Sequence, residues 1–342
     1  MSNNSPSFVS RRAAMKASLA GLAALAASPN LLWAQQSDAT RQTLIDQLVK
    51  ETGLARTTVA AAINHAVYDE SIITRMKTPY ESRSYAEYRP LFVHPKLAAK
   101  GHAYLEKNHA VFVESEKKYA VQKEIIAAIL GMETRYGTYR GKDPVVSSLY
   151  TLATGYPRRA KFFRKELGEL LLLCQEEGLD PNQFKGSYAG AFGTTQFIPS
   201  SYRAYAVDAD GDGKRDVWHS SADIINSVAN YFSKHGWDGS RPVAHWLGKE
   251  SSHKPLAKHA KKGFKGWVKL SDIRHQLPKL DKRWQDDDKV TLIEMTTKKG
   301  KEIALVHYNF YVITRWNRSY NYAMAITELA ELMDCKACET HA

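Results

Sequence analysis

Apolar positions recur along most of this chain at helical spacing, and the period changes to that of strands only in its last third. On the segment Gln122 to Tyr136, Ile125, Ile126, Ile129 and Leu130 fall three and four residues apart, one face of a helix. Residues 39 to 120 carry shorter amphipathic patterns, crossed by an aromatic-rich stretch from Lys77 to Pro90 that reads as extended. Helical periodicity continues to about Gly239, broken by glycine-rich loops at Gly186 to Gly193 and Asp208 to Gly213. Val290 to Met295 and Ile303 to Val306 then read as strands, with Lys298-Lys299-Gly300-Lys301 as the turn between them. Phe310 to Thr314 reads as one more strand, and Tyr320 to Met333 as a closing helix.

The predicted fold is mainly α (α+β). Residues 35–118 form an N-terminal helical lobe, 119–240 a central helical core, 241–307 a small antiparallel β insertion, and 308–342 a return to the core. Residues 1–34 read as an export signal, because Arg11, Arg12 and Lys16 precede the alanine-rich run Ala17 to Ala27 and then Leu32-Trp33-Ala34. Ser10-Arg11-Arg12 is twin-arginine-like, but Ala14 stands where an aromatic is usual, so the ordinary secretory route stays open. No cysteine follows the cleavage region to take a lipid, and no later run reaches the ~18 apolar residues that span a bilayer. A periplasmic protein without a lipid anchor is expected.

At 44% apolar residues the chain can bury a sizeable core. Its formal charge is +12, and removal of Arg11, Arg12 and Lys16 takes three, leaving about +9. That balance suits an anionic polymer, yet no nucleic-acid-binding motif accompanies it. Cys174 lies beside Leu170 to Leu173 and reads as a packed thiol. Cys335 and Cys338 admit a local disulfide, free thiols or, with His341, a metal.

Glu133 breaks the pattern of its helix, because it falls three and four residues beyond Ile129 and Leu130, on the apolar stripe. An apolar setting and the negative end of the helix dipole both disfavour ionisation, the condition for a general acid near neutral pH. Pairing with a cation such as Arg135 is the plain structural alternative. The stretch Gly186 to Tyr202 combines glycines, hydroxyls, aromatics and Gln196, suiting either the wall of a sugar site or a tightly packed loop. Asp208, Asp210, Asp212 and Asp216 occupy positions 1, 3, 5 and 9 of an EF-hand-like loop with Gly213 at position 6. Position 12 is His219, so closure of a calcium site falls to Asp223. No organic cofactor is implied.

Three motifs in order then resemble the B family of lytic murein transglycosylases: Gly131-Met132-Glu133-Thr134-Arg135-Tyr136-Gly137, Tyr156-Pro157-Arg158-Arg159-Ala160, and the glycine-rich stretch. The likeness runs from about Tyr80 to Thr327 through Val228 to Phe232, Lys234 to Trp237 and Phe310 to Arg315. It implies a lysozyme-like catalytic core acting on peptidoglycan glycan strands and their stem peptides. Glu133 would protonate the glycosidic oxygen between N-acetylmuramic acid and N-acetylglucosamine, then act as base to close a 1,6-anhydromuramyl end. It also implies that Ser187, Gln196, Phe197, Tyr231, Asn317 and Tyr322 line the glycan cleft and that Arg158 and Arg159 meet stem-peptide carboxylates. Calcium would be held by Asp208, Asp210, Asp212 and the Lys214 carbonyl, for stability. The family often has tyrosine where Trp316 stands, which puts that contact with the acid or the substrate in question. A hydrolytic muramidase using the same Glu133 and a non-catalytic, calcium-stabilised wall-binding scaffold are the competing readings. Cell-wall synthases or amidases that dock to the chain are not identified by any motif.

Overall fold

A computed structural model describes residues 29–77, 83–252 and 254–334. The first 28 residues of the expected export signal, and Cys335, Cys338 and His341, lie outside the described residues. Residues 1–43 cluster as one unit, and residues 44–342 as a second that holds all the chemistry below.

One hydrophobic core runs through the second unit from Leu44 to Met333, shared by the expected helical lobe and the central core. Local signals set many of the helix ends around it. Pro199 opens the helix Pro199–Tyr205, Ser220 accepts the Asp223 N–H at the start of Ser221–Lys234, and Gly178 closes Ala160–Glu177 with φ +66°.

The β insertion is a four-stranded antiparallel sheet in the order Ala244–Lys249, Gly300–His307, Lys289–Thr297, Val268–Lys269. Its central hairpin pairs Thr297 with Gly300, leaving Lys298-Lys299 as a two-residue turn in which Gly300 takes φ +102°. Ile293, Met295, Ala304 and Val306 face the main core, whereas Val290, Leu292, Ile303 and Leu305 face a second one with Leu256, Leu270 and Trp284. A sheet covered on both sides explains why these strands read as continuous apolar runs rather than as an alternation.

Two expectations are corrected. The stretch Phe310 to Thr314 is not a strand but part of the helix Tyr308–Trp316. Its β-branched and aromatic residues yield to packing: Phe310, Val312, Ile313 and Thr314 are buried, and the His307 ring caps the start by accepting the Asn309 N–H at 3.1 Å. Residues 78–82 of the expected extended crossing lie outside the described residues, and its second half is instead a helix, Tyr85–Phe92, with Tyr85 and Tyr88 buried. A capping box opens it, Ser84 with Glu87 three residues on, a signal present in the sequence and outweighed there by the aromatics and prolines.

Candidate active site

The helix Lys123–Thr134 buries every residue from Ile125 to Gly131 and carries Glu133, half-buried, in its last turn. It ends two residues before the expected Tyr136, because Arg135, Tyr136 and Gly137 all take positive φ, +49°, +59° and +83°. Left-handed backbone costs a non-glycine residue about 1 kcal/mol, so packing must hold it there. Tyr136 stacks on Tyr104 with centroids 5.1 Å apart, and its hydroxyl lies over Gly131, where a Cβ would stand 2.6 Å away. The sharp reversal frees the end of the helix for Thr134, which donates from Oγ1 to the Thr194 carbonyl at 3.1 Å and so ties the acid's helix to the glycine-rich loop.

Two donors converge on one oxygen of Glu133. Trp316 Nε1–H reaches Oε1 at 3.0 Å and the Tyr322 hydroxyl reaches the same Oε1 at 2.6 Å, from 183 and 189 residues further along the chain. Burial first, then the charge of Glu133 and the bond to it, push the Tyr322 phenol far above its ordinary value, so it keeps its proton. The Trp316 indole packs on Phe197, Tyr231 and Phe232 with centroids 5.1, 4.7 and 5.8 Å away. Arg135, the cation considered for Glu133, is exposed and lies over the Tyr139 ring. Asp143, the nearest downstream acid, is gripped by both terminal nitrogens of Arg75 at 3.0 and 3.1 Å.

In the glycine-rich loop the glycines make room for the protein's own close packing. A Cβ on Gly186 would stand 2.0 Å from the Ala191 carbonyl, on Gly190 2.4 Å from Leu149, and on Gly193 2.6 Å from Val217. The loop thereby closes on itself: Ser187 Oγ accepts the Ala191 N–H, and Gln196, at φ +51°, donates from Nε2 to the Gly193 and Arg140 carbonyls. Phe197 is brought against Trp316, and Ser187 is half-buried in the same loop. Asn317 is half-buried where the helix carrying Trp316 ends, one residue beyond the indole.

Arg158 and Arg159 are exposed on a short 3-10 turn, Pro157–Arg159. They line an open cavity of about 700 Å³ with Lys161, Phe162, Arg164 and Lys165, and Glu133 is not among its lining residues. The Arg159 guanidinium lies 4.2 Å over Phe162; burial, then the charge of Arg318, hold its basicity below the ordinary arginine value. Arg318 lies in the short connection between the helices Tyr308–Trp316 and Tyr320–Asp334, so its charge brings that connection close to Arg159.

The acidic loop divides the residues predicted for it. Carboxylate oxygens of Asp208, Asp210 and Asp212 lie within 4.8 Å of one another, all exposed. Asp216 instead accepts the Trp218 and His219 N–H groups, and buried Asp223 accepts those of Ala209 and Asp216, so these two brace the loop from behind.

Sequence reasoning missed two contributors. Arg140 ties the loop together through Thr194 Oγ1 at 2.9 Å and the Trp218 carbonyl at 2.7 Å, with no local signal to announce it. Tyr88 lies near enough to Tyr322 to help raise its phenol, and the overlooked capping box was the signal for its helix.

Comparison with known proteins fits this geometry. The family described as Transglycosylase SLT domain matches residues 36–331. The membrane-bound lytic murein transglycosylase B of Escherichia coli K12 is 33% identical over 300 residues, 85% of this chain and 81% of the relative. The soluble lytic transglycosylase SltB1 of Pseudomonas aeruginosa superposes with TM-score 0.75 at 36% identity, over 86% of this chain and 98% of that one. The Escherichia coli lytic transglycosylase Slt35, solved in complex with calcium, gives 0.76 at 33% identity, over 86% and 92%. SltB3 of Pseudomonas aeruginosa, in complex with NAG-NAM-pentapeptide, gives 0.75 at 29% identity, over 88% and 79%.

Proposed function

Since the chain belongs to the transglycosylase SLT domain family and is a lytic murein transglycosylase with a lysozyme-like fold, we propose that Glu133 alone supplies both the acid and the base of its reaction. Glu133 gives its proton to the glycosidic oxygen as the bond from that oxygen to C1 of N-acetylmuramic acid breaks. The substrate's acetamido group steadies the cationic sugar. The carboxylate then takes the proton of the C6 hydroxyl, O6 bonds to C1, and a 1,6-anhydromuramyl end leaves without water being consumed. One carboxyl is enough for this route, unlike the paired carboxylates of most glycosidases.

The observation that carries this reading is the convergence of Trp316 and Tyr322 on one oxygen of a half-buried carboxyl, with Trp316 held by the packed rings of Phe197, Tyr231 and Phe232. Ser187, Gln196, Phe197, Tyr231 and Asn317 build the glycan cleft in this reading, and Arg158 and Arg159 take stem-peptide carboxylates, to which a guanidinium can bind through two nitrogens. Mass spectrometry of digested sacculi tests the chemistry: anhydro ends are expected, and reducing ends would establish the hydrolytic muramidase instead.

Calcium fits the acidic loop. Three hard carboxylates this close repel without a cation, and Gly211 and Gly213 at φ +76° and +86° wrap the backbone around them, their N–H groups bonded to Asp208. Asp208, Asp210, Asp212 and the Lys214 carbonyl would hold the ion, and it would stabilise the loop rather than join the reaction. Chelation should lower the melting temperature by about 3 °C or more, with calcium restoring it. The protein acts in the periplasm; among the described residues no helix is long and apolar enough to cross a membrane.

A further inference from the structure

Residues 254–269 hold six lysines and no acid, with Phe264 and Trp267 among them. Those two rings stack within 4° of parallel, centroids 5.6 Å apart, and three tyrosines close around them. Tyr320 and Tyr311 lie 4.9 and 5.2 Å from Phe264, and Tyr308 lies 5.9 Å from Trp267. Local bonds hold the group in shape: Thr291 donates from Oγ1 to the Gly263 carbonyl at 2.8 Å, and Gly263, at φ +49°, leaves room for the Tyr320 hydroxyl, which a Cβ would approach to 2.5 Å. All five rings are half-buried, so each still offers part of itself to the surface.

Positive charge gathers on the same side. Lys289 lies over Trp267 and Tyr308, 5.5 and 5.4 Å from their centroids, and is the cross-strand partner of Lys269. Like charges opposed in this way repel unless an anion comes between them. Asp288, the acid next to Lys289 in the chain, is buried and accepts from Arg241 at 2.7 Å. The rings are also joined to the corner that holds Glu133. Tyr308, Tyr311 and Arg315 follow at three and four residues along the open side of the helix Tyr308–Trp316, and this stripe stops one residue short of Trp316, which bonds Glu133. Tyr320 stands two residues before Tyr322, the second donor to the acid.

Given the peptidoglycan cleft proposed above, we infer that these rings, with Lys269 and Lys289, form a second holding surface for the same polymer: sugar faces lie on Trp267, Tyr308 and Tyr311, and stem-peptide carboxylates come between the lysines. A glycan strand with its peptides carries both chemistries, apolar sugar faces and acids. An anionic bilayer would call instead for rings that stand clear of the surface; Tyr68 and Tyr139, 45% and 63% exposed, do so, and none of these five does. A strand so held stays beside Glu133 after a cut, so the surface governs how well long substrate is retained.

Retention on purified sacculi tests this, measured by pelleting in the full chain carrying Glu133→Gln so that strands stay whole. Adding Trp267→Ala and Tyr308→Ala should weaken retention about tenfold. Adding Lys269→Gln and Lys289→Gln instead should weaken it about fivefold and make what remains less sensitive to salt. Both lysines are exposed, so this second variant answers if the first fails to fold. On chitin, which has N-acetylated sugar rings and no carboxylates, the ring variant alone should lose retention. Binding to sacculi within about twofold of the parent in both variants overturns the inference, as does a loss confined to phosphatidylglycerol vesicles, which would make the surface a membrane contact. Cutting that persists in Glu133→Gln is a separate failure: it removes Glu133 from the mechanism whatever the lysine and ring variants do.

Discussion

Glu133 and Glu166 are both carboxylates seated on well-buried helices, Lys123–Thr134 and Ala160–Glu177, and their surroundings differ. Glu166 is 2% exposed and turned inward, where its oxygens accept the Ser200 N–H at 2.9 Å and the Ser200 hydroxyl at 2.8 Å. It satisfies the open first turn of the helix Pro199–Tyr205 and so anchors the end of the glycine-rich stretch. Glu133 is half-buried, and its donors Trp316 and Tyr322 are side chains from a distant segment. The two acids thus differ both in how deeply they are buried and in which groups bond to them.

The largest effect that could break this contrast is on turnover. Glu133→Gln should lower sacculus-lysing activity by about 10³-fold while leaving the melting temperature nearly unchanged. Persistent lysis would show that the two glutamates are alike after all. Glu166→Ala should do the reverse: a loss of about 2 kcal/mol in urea unfolding, from two orphaned buried donors, with activity per folded molecule within about twofold of wild type. Ser200→Ala removes only the hydroxyl partner and should cost about 1 kcal/mol in the same assay.

The subtlest test uses pH. Burial, the dominant cause, raises the Glu166 carboxyl above its ordinary value against the opposing bonds from Ser200. A carboxyl raised on folding stabilises most below its unfolded pKa and loses that contribution as pH climbs through the folded one. Glu166→Gln, which stays neutral, should therefore gain stability relative to wild type as pH rises above about 4.5, by unfolding measured across the range. A parallel pair of curves would mean that Ser200 compensates the buried charge completely.

Much of this was readable without coordinates where the determinants are neighbours in the chain. The hairpin from Val290 to Val306 follows from two apolar runs around a lysine-glycine turn, and Glu133 stood out as an acid on an apolar stripe. The acidic loop was visible from spacing, although Asp216 and Asp223 turned out to bind backbone N–H groups, a use that depends on how the loop folds back. The helix Tyr308–Trp316 was misread because β propensity reports a fit to a half-buried surface, and here helix packing supplied that surface. Glu166 gave no signal separating it from an ordinary helical glutamate, since its partner Ser200 lies 34 residues away.

By itself the sequence determined most of the elements and the family, and singled out Glu133 as an acid on an apolar stripe, because periodicity, turn chemistry and motif spacing are properties of adjacent residues. Only the tertiary structure decided that Trp316 and Tyr322 share one oxygen of Glu133, that the glycines pack against protein, and that the sheet is covered on both faces. Those outcomes depend on how separated segments, 183 and 189 residues apart for Trp316 and Tyr322 against Glu133, are pressed together, and no local pattern encodes the angle at which a side chain arrives.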